Sequence, residues 1–244
     1  METKAFELHN YRILAKPRDL VSFGVRIKES DLLVSCDKRL VRHTEEALLK
    51  YRQQIEQYIY YHPDFRDTYE PVADEDTMPP IIRAMASASL QAGVGPMASV
   101  AGAIAEFVGR ELLQRCRQII VENGGDIFLK TSRARVVGVY AGESPLSGRV
   151  ALRVEPKETP LGICCSAGTF GHSVSLGKAD AVVILSESAT LADAVATSVG
   201  NVVQSRTDIT NALARLKGNK GVRGGLIIQG RHMGAWGQLN IIKG

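Results

Sequence analysis

Hydrophobic and polar positions alternate near the start of the chain and then change to a helical spacing. Apolar residues alternate with polar ones over 20–27, and Lys28–Asp31 separates this run from a second apolar run over 32–36. This pattern predicts a β-hairpin. Apolar residues three and four positions apart over 43–60 predict the first helix, which His62 and Pro63 end.

The same reading extends along the rest of the chain. Residues 63–78 are rich in acidic side chains and predict a solvated connector. Helices are predicted at about 79–92, 96–112 and 208–217. Strands are predicted at 11–15, 119–122, 127–129, 136–140, 150–154, 181–185, 225–229 and 238–242. The glycine-rich segment Gly230–Gly237 predicts a surface turn with Trp236 as an aromatic plug; alternatively, His232 and Trp236 line a pocket.

Hairpins followed by helix pairs predict an α+β protein with antiparallel sheets backed by helices. The 244 residues are enough for a well-buried core, and 45% apolar with 23% charged residues is ordinary for a globular protein. We therefore expect a single domain over 1–244, which divides into two packed halves at about 1–92 and 93–244.

The net charge and the distribution of basic residues indicate which kinds of partner to expect. The net charge is only +4, and the basic residues are scattered apart from the run Arg215–Arg223, which is typical of a solvated helix end. We expect no nucleic-acid partner and, since no run approaches about 18 apolar residues, no membrane partner. The first residues lack an apolar leader pattern, which favours a cytoplasmic protein.

The four cysteines are Cys36, Cys116, Cys164 and Cys165, and they show no metal-ligand spacing. In a chain of this length and composition they are expected to be reduced thiols. Cys164 and Cys165 lie within eight residues of His172, so a thiol nucleophile with a nearby base is one hypothesis. Buried structural cysteines are the commoner case.

The segment Asn123-Gly124-Gly125-Asp126 lies between two apolar runs. Glycines adopt positive φ without steric cost, so the segment predicts a hairpin turn. A functional interpretation is also open. Two residues without side chains allow a flat ring or a phosphate to approach the backbone, and Asp126 could hold a hydroxyl group.

A loop of small residues, 164–169, is followed by a helix that carries Asp193 and Thr197. Residues four apart share one face of a helix, so these two side chains offer hard oxygen ligands of the kind that Mg²⁺ prefers when it also holds phosphates. The alternative is a capping box, in which Thr190 caps the helix and Asp193 lies in its first turn.

Three short motifs follow one another along the chain: Asn123–Asp126, then Cys165–Gly168, then Ala192–Thr197. In this order they resemble the ApbE family of flavin transferases, over roughly residues 95–204, and the chain looks like a shorter branch of that family. The resemblance implies an ApbE-like fold related to the tunnelling fold, with two similar halves.

The resemblance also implies a chemistry. In the family, the residues that match Asp193 and Thr197 coordinate Mg²⁺ at the pyrophosphate of FAD, and FMN is transferred to a threonine of an acceptor protein. Asp193 and Ser166 are then the candidate catalytic residues. The candidate cofactor-binding residues are Gly124, Gly125, Asp126, Cys165, Gly168, Thr169 and His172. The implied partners are a flavin or nucleotide ligand and an acceptor protein, and a homodimer is a separate hypothesis.

The chain departs from the family pattern at several positions. The family's lysine is replaced, at Ala101, and its His-x-x-Asp-Pro segment is shortened to Gly171-His172-Ser173. Cys165 stands where the family usually has threonine. Two hypotheses follow: a Mg²⁺-dependent flavin- or nucleotide-handling protein resembling FMN transferases, or a binding module that holds a flavin, pterin or nucleotide without turnover.

Overall fold

The computed structural model of the chain describes residues 17–166 and 176–244. Within these ranges the strands are β1 Val21–Ile27, β2 Ser30–Cys36, β3 Ile119–Asn123, β4 Asp126–Lys130, β5 Arg135–Gly138, β6 Val150–Val154, β7 Leu161–Ser166, β8 Ala181–Ser186, β9 Val222–Gln229, β10 His232–Gly237 and β11 Ile241–Lys243. Eight of them form one sheet in the order β1-β2-β3-β4-β7-β8-β9-β10, and three form a second in the order β11-β6-β5. All neighbouring strands run antiparallel.

The helices of the described ranges are α1 Val41–Tyr61, α2 Asp64–Asp67, α3 Pro80–Ala92, α4 Val100–Leu112, α5 Ala189–Val202 and α6 Ile209–Arg215. A 3₁₀ turn, Pro96–Ser99, leads into α4. Gly93 ends α3 in the left-handed conformation, as its place after the last apolar residue predicts. The expected α+β fold with antiparallel sheets backed by helices is confirmed.

The large sheet lies between the helices and the small sheet. Its strand β8 contacts the helices on one face and the small sheet on the other. Along β8, Val182 and Ile184 pack with α5 and α6, whereas Val183 and Leu185 pack against the small sheet. Successive side chains of a strand point to opposite faces. Because both faces are covered, β8 is a continuous apolar run.

Several boundaries follow the prediction closely, including the first hairpin and α1. The predicted connector 63–78 contains the one-turn helix α2, because Phe65 is buried against the core beneath α1. The strand predicted at 11–15 lies outside the described residues. The division into two halves stays a prediction.

The interpretation of Gly230–Gly237 as a surface turn is wrong. The chain turns at Gly230, which has φ 59°, and 232–237 form β10, paired along its length with β9. Gly234 lies within this strand because α6 packs directly on it: a Cβ there would lie 2.5 Å from Ile209 Cγ2 and 2.9 Å from Leu213 Cδ1. His232 and Trp236 line an open groove of about 530 Å³ between α6 and β10.

In the described part of the chain, no single helix has both the length and the apolar character needed to cross a membrane. One bent pair, Pro80–Ala92 with Pro96–Leu112 at 104°, meets the requirement by length and composition only.

Candidate functional site

The turn between β3 and β4 places the first acidic side chain of the site. Gly124 and Gly125 have φ of 65° and 110°, conformations that glycine adopts without strain. The Gly125 N–H donates to Glu122 Oε1 at 2.9 Å, and its carbonyl accepts from Cys165 N. The turn therefore starts β4 at Asp126, directly opposite Cys164 on β7.

Two glycines let α5 approach the sheet and α4 closely. A Cβ at Gly162 of β7 would collide with the backbone of Ala189, the first residue of α5. A Cβ at Gly102 of α4 would collide with the Ala189 carbonyl and lie 2.9 Å from the Cβ of Asp193. This close packing brings the first turns of α5 against β7 and the N-terminus of α4.

Asp193 accepts hydrogen bonds from a neighbouring helix rather than capping its own. Its Oδ2 accepts from the Gly102 N–H at 2.9 Å, and Oδ1 lies 3.9 Å from the Cys164 thiol. The N-cap of α5 is Ser188, whose hydroxyl accepts from Leu191 N at 3.2 Å. The capping box with Thr190 as N-cap is therefore wrong.

Asp126, Cys164 and Asp193 form a cluster, which we call the carboxylate–thiol cluster. One donor atom from each lies within 4.8 Å of the others. All three side chains are buried, and Asp126 Oδ1 has no hydrogen-bond partner among the residues that the structure describes. Oxygen and sulfur donors gathered in this way can hold a cation.

Burial shifts the acidity of all three groups. It raises the pKa of the Asp193 carboxyl to about 7, against the lowering effect of hydrogen bonds from the backbone of Gly102 and Ala101. Burial and the neighbouring Asp193 carboxylate raise the pKa of Asp126 well above its ordinary value. Burial, with the charge of Asp126, also raises the pKa of the Cys164 thiol. A cation would compensate these costs directly.

Glu106 joins α4 to the start of α5. Its Oε2 accepts from the Ser188 hydroxyl at 2.6 Å and from the N–H and the hydroxyl of Thr190, each at 3.1 Å. Its Oε1 accepts from Arg110, one turn further along α4, at 2.8 Å. The carboxylate thus fixes the N-terminus of the helix that carries Asp193.

The other predicted site residues are distributed around this cluster. Thr197 lies one turn beyond Asp193 and is half-buried, and Ser166 is the buried last residue of β7. Cys165 points to the opposite face of β7, where it packs against the small sheet and donates to Tyr140 O at 3.7 Å. Gly168, Thr169 and His172 lie outside the described residues.

The sequence prediction assigned no site role to Gly102 or Glu106, and it considered Cys164 only as a thiol nucleophile near His172. Glu106 is the one acidic residue in the apolar run 100–109, and an isolated charge in such a run could have marked it as a candidate site residue. Cys164 could have been separated from Cys165 by strand alternation, since only one of two successive residues faces the helices.

Comparison with known proteins identifies the family. The family model described as "AbpE bacteria" matches residues 12–220. The chain belongs to this family. Similar proteins include the UPF0280 protein of Methanococcus maripaludis strain C6, which is 40% identical over 88% of this chain and 90% of its own length. The UPF0280 protein of Methanocaldococcus jannaschii is 41% identical over 87% and 89%.

Solved structures of two proteins resemble this member of the family in fold. The flavinyl transferase ApbE of Pseudomonas stutzeri, in its apo form, matches with a TM-score of 0.60, covering 89% of this chain and 94% of its own, at 13% identity. The ApbE protein of Thermotoga maritima matches with a TM-score of 0.57, covering 88% and 96%, at 14% identity. At this identity the likeness establishes the ApbE fold, as the motif order led us to expect.

Proposed function

We propose that the protein binds a flavin nucleotide such as FAD together with a divalent cation and acts on, or holds, its phosphate groups as a flavin transferase-like protein. The observation that carries the proposal is the meeting of Asp126 and Asp193 beside the side-chain-free turn Gly124–Gly125. Membership of the family and the ApbE fold support the same chemistry.

Mg²⁺ is the cation that the family resemblance implies, and Asp193 with Thr197 would hold it. Two features fit a cation here: a buried carboxylate oxygen of Asp126 without a hydrogen-bond partner among the described residues, and a second carboxylate close to it. Mg²⁺ typically takes one or two protein carboxylates and completes its coordination with water and substrate phosphates. It would neutralise negative charge on the pyrophosphate.

The chain's own residues have separate tasks in this proposal. Asp193 provides negative charge at a fixed place, because the Gly102 N–H donates to its Oδ2. Its Oδ1 is the oxygen that faces the carboxylate–thiol cluster. The turn at Gly124 and Gly125 leaves the backbone accessible to a flat ring or a phosphate. Ser166, at the end of β7, would offer a hydroxyl at close range.

A binding module without turnover is the second candidate. The family's lysine corresponds to Ala101 in this chain, and a methyl group can neither donate a hydrogen bond nor carry positive charge. The carbonyl of Ala101 accepts from the Asn123 side chain at 3.1 Å, so that interaction fixes the backbone at this position. Flavin binding would then persist without transfer.

The proposal is tested by thermal unfolding with FAD, with and without Mg²⁺. A ligand that binds only the folded state stabilises it by about 2.7 kcal/mol at a hundredfold excess over Kd. We expect the stabilisation to be larger with Mg²⁺ in the wild type and in Asp74→Asn, an exposed control. Asp193→Asn should lose the Mg²⁺-dependent part. Equal shifts with and without Mg²⁺ in all three proteins would reject the proposal.

A further inference from the structure

The donor atoms of the carboxylate–thiol cluster lie close enough together to converge on one cation. The donor atoms of Asp126, Cys164 and Asp193 lie within 4.8 Å of one another, and the Cys164 Sγ to Asp193 Oδ1 distance is 3.9 Å. Bond lengths of about 2.0–2.3 Å place the ligands of a tetrahedral Zn²⁺ about 3.3–3.7 Å apart. A bound Zn²⁺ would therefore draw the three donor atoms closer together than they lie here.

A second observation points to a ligand at the same place. Asp126 is 7% exposed, and its Oδ1 has no hydrogen-bond partner among the residues that the structure describes. A buried carboxylate oxygen without a partner is costly, and native proteins rarely leave one so. Asp193 Oδ1 accepts from the Cys164 thiol at 3.9 Å, and a cation bound between these two atoms would replace that long hydrogen bond.

The donor set decides which cation fits. Mg²⁺ favours oxygen donors, retains several waters and is seldom held by an all-protein site. A thiolate beside two carboxylates instead favours a thiophilic divalent cation such as Zn²⁺ or Co²⁺. We propose that the flavin-free protein binds one such cation through Asp126, Cys164 and Asp193. As the sulfur–metal bond forms, the Cys164 thiol releases its proton to solvent.

This site goes beyond the proposed flavin function. It shares Asp126 and Asp193 with that function, but it requires neither flavin nor Thr197, and it forms in the protein alone. Mg²⁺ binding, by contrast, is expected to need the phosphates of the ligand. The two proposals therefore fail separately: flavin stabilisation with Mg²⁺ tests the first, and cation binding without flavin tests the second.

Cobalt substitution in the full chain tests the site directly. After treatment with a chelator, the protein should bind one equivalent of Co²⁺ and show a thiolate-to-cobalt charge-transfer band in the near ultraviolet. Cys164→Ser should lose the band. Cys165→Ser is the matched control, because Cys165 faces the small sheet, and it should keep the band. A band that persists in Cys164→Ser, or that disappears in Cys165→Ser, overturns the proposal.

Two further measurements cover the case in which Cys164→Ser does not fold. Asp126→Asn keeps the shape of the side chain and should weaken Zn²⁺ binding by about tenfold or more, as loss of even an outer partner costs about 10–100-fold. X-ray absorption at the zinc edge of the wild-type protein should show one directly bound sulfur. Either an unchanged affinity in Asp126→Asn or a zinc environment without sulfur would refute the assignment, as would Mg²⁺ binding as tightly as Zn²⁺.

Discussion

Asp193 and Glu106 cap each other's helices. Asp193, on α5, accepts from Gly102 N–H in the first turn of α4, and Glu106, on α4, accepts from Thr190 N–H in the first turn of α5. A carboxylate at a helix N-terminus satisfies a free N–H and interacts favourably with the helix dipole. The reciprocal arrangement fixes the two helices against each other and thereby fixes the Asp193 carboxylate over β7.

The first prediction concerns Glu106. Glu106→Gln should lower the free energy of unfolding by about 1–3 kcal/mol, because an amide cannot accept from Ser188, Thr190 and Arg110 together and its NH₂ group lacks acceptors there. Chemical denaturation of the variant measures the loss. Glu45→Gln, at an exposed position of α1, is the control and should change stability by less than about 0.5 kcal/mol.

Glu106 also positions the site, which a second readout would reveal. Because the carboxylate holds the start of α5, its loss should weaken cation binding in the flavin-free protein as well as stability. If Glu106→Gln is destabilised but binds Co²⁺ with unchanged affinity and spectrum, Glu106 supports the fold and does not position Asp193.

A second prediction concerns the close contact at Gly102. Alanine usually stabilises a helix interior relative to glycine by about 0.5–1 kcal/mol. Here the added Cβ would collide with the Ala189 carbonyl, so Gly102→Ala should instead destabilise the protein by roughly 1–3 kcal/mol. Gly138→Ala is the control, since nothing lies within 4 Å of a Cβ at that position. Equal unfolding free energies for both variants would contradict this packing.

A third prediction concerns pH. Glu111, on α4, accepts from Lys50 Nζ and Tyr51 OH of α1, each at 2.8 Å, and the Lys50 hydrogen bond lowers the pKa of its carboxyl below the ordinary value of 4.5. The ionised form is therefore favoured by folding, so its stabilisation is present above pH 4.5 and is lost as pH falls through the lower folded pKa.

This sign gives a measurable difference. Glu111→Gln should be less stable than the wild type by at most about 1 kcal/mol near pH 7, because the side chain is partly exposed. The gap should shrink as the pH falls below 4.5. A gap that widens in acid would show that the ion pair does not lower this pKa.

Local patterns predicted the elements from which the site is built, and the three-dimensional contacts decided their roles. The glycine pair Gly124–Gly125 predicted the β3–β4 turn because turn chemistry is local. Asp193 was read both as a metal ligand and as a cap for its own helix. Only the packing of α4 shows that it caps a different helix, through Gly102, which lies 91 positions away along the chain.

The roles of glycines within helices and strands were the hardest feature to predict from the sequence. Gly234 suggested a turn, yet it lies in β10 because Ile209 and Leu213 need the space of a side chain. Gly102 and Gly162 serve the same purpose under α5. A glycine required by close packing and a glycine required by a turn look alike in a sequence, since the difference lies in a distant partner.

The last prediction separates transfer from binding. In a transferase, Asp193→Ala should reduce turnover by about 10²–10³-fold or more, the cost of losing one preorganised electrostatic contact to the reacting phosphate. Asp193→Asn should be as inactive but more stable than the alanine variant, because the amide oxygen can still accept from Gly102 N–H. Ser166→Ala should reduce turnover less, since neighbouring backbone donors remain.

The assay for this prediction combines protein, FAD, Mg²⁺ and a threonine-containing acceptor peptide, and it measures covalent flavin and released AMP. If the wild type forms no product where an ApbE flavin transferase does, while FAD still stabilises it with Mg²⁺, the protein holds the flavin without transferring it. That outcome would agree with the loss of the family's lysine, at Ala101, and with the shortening of its His-x-x-Asp-Pro segment.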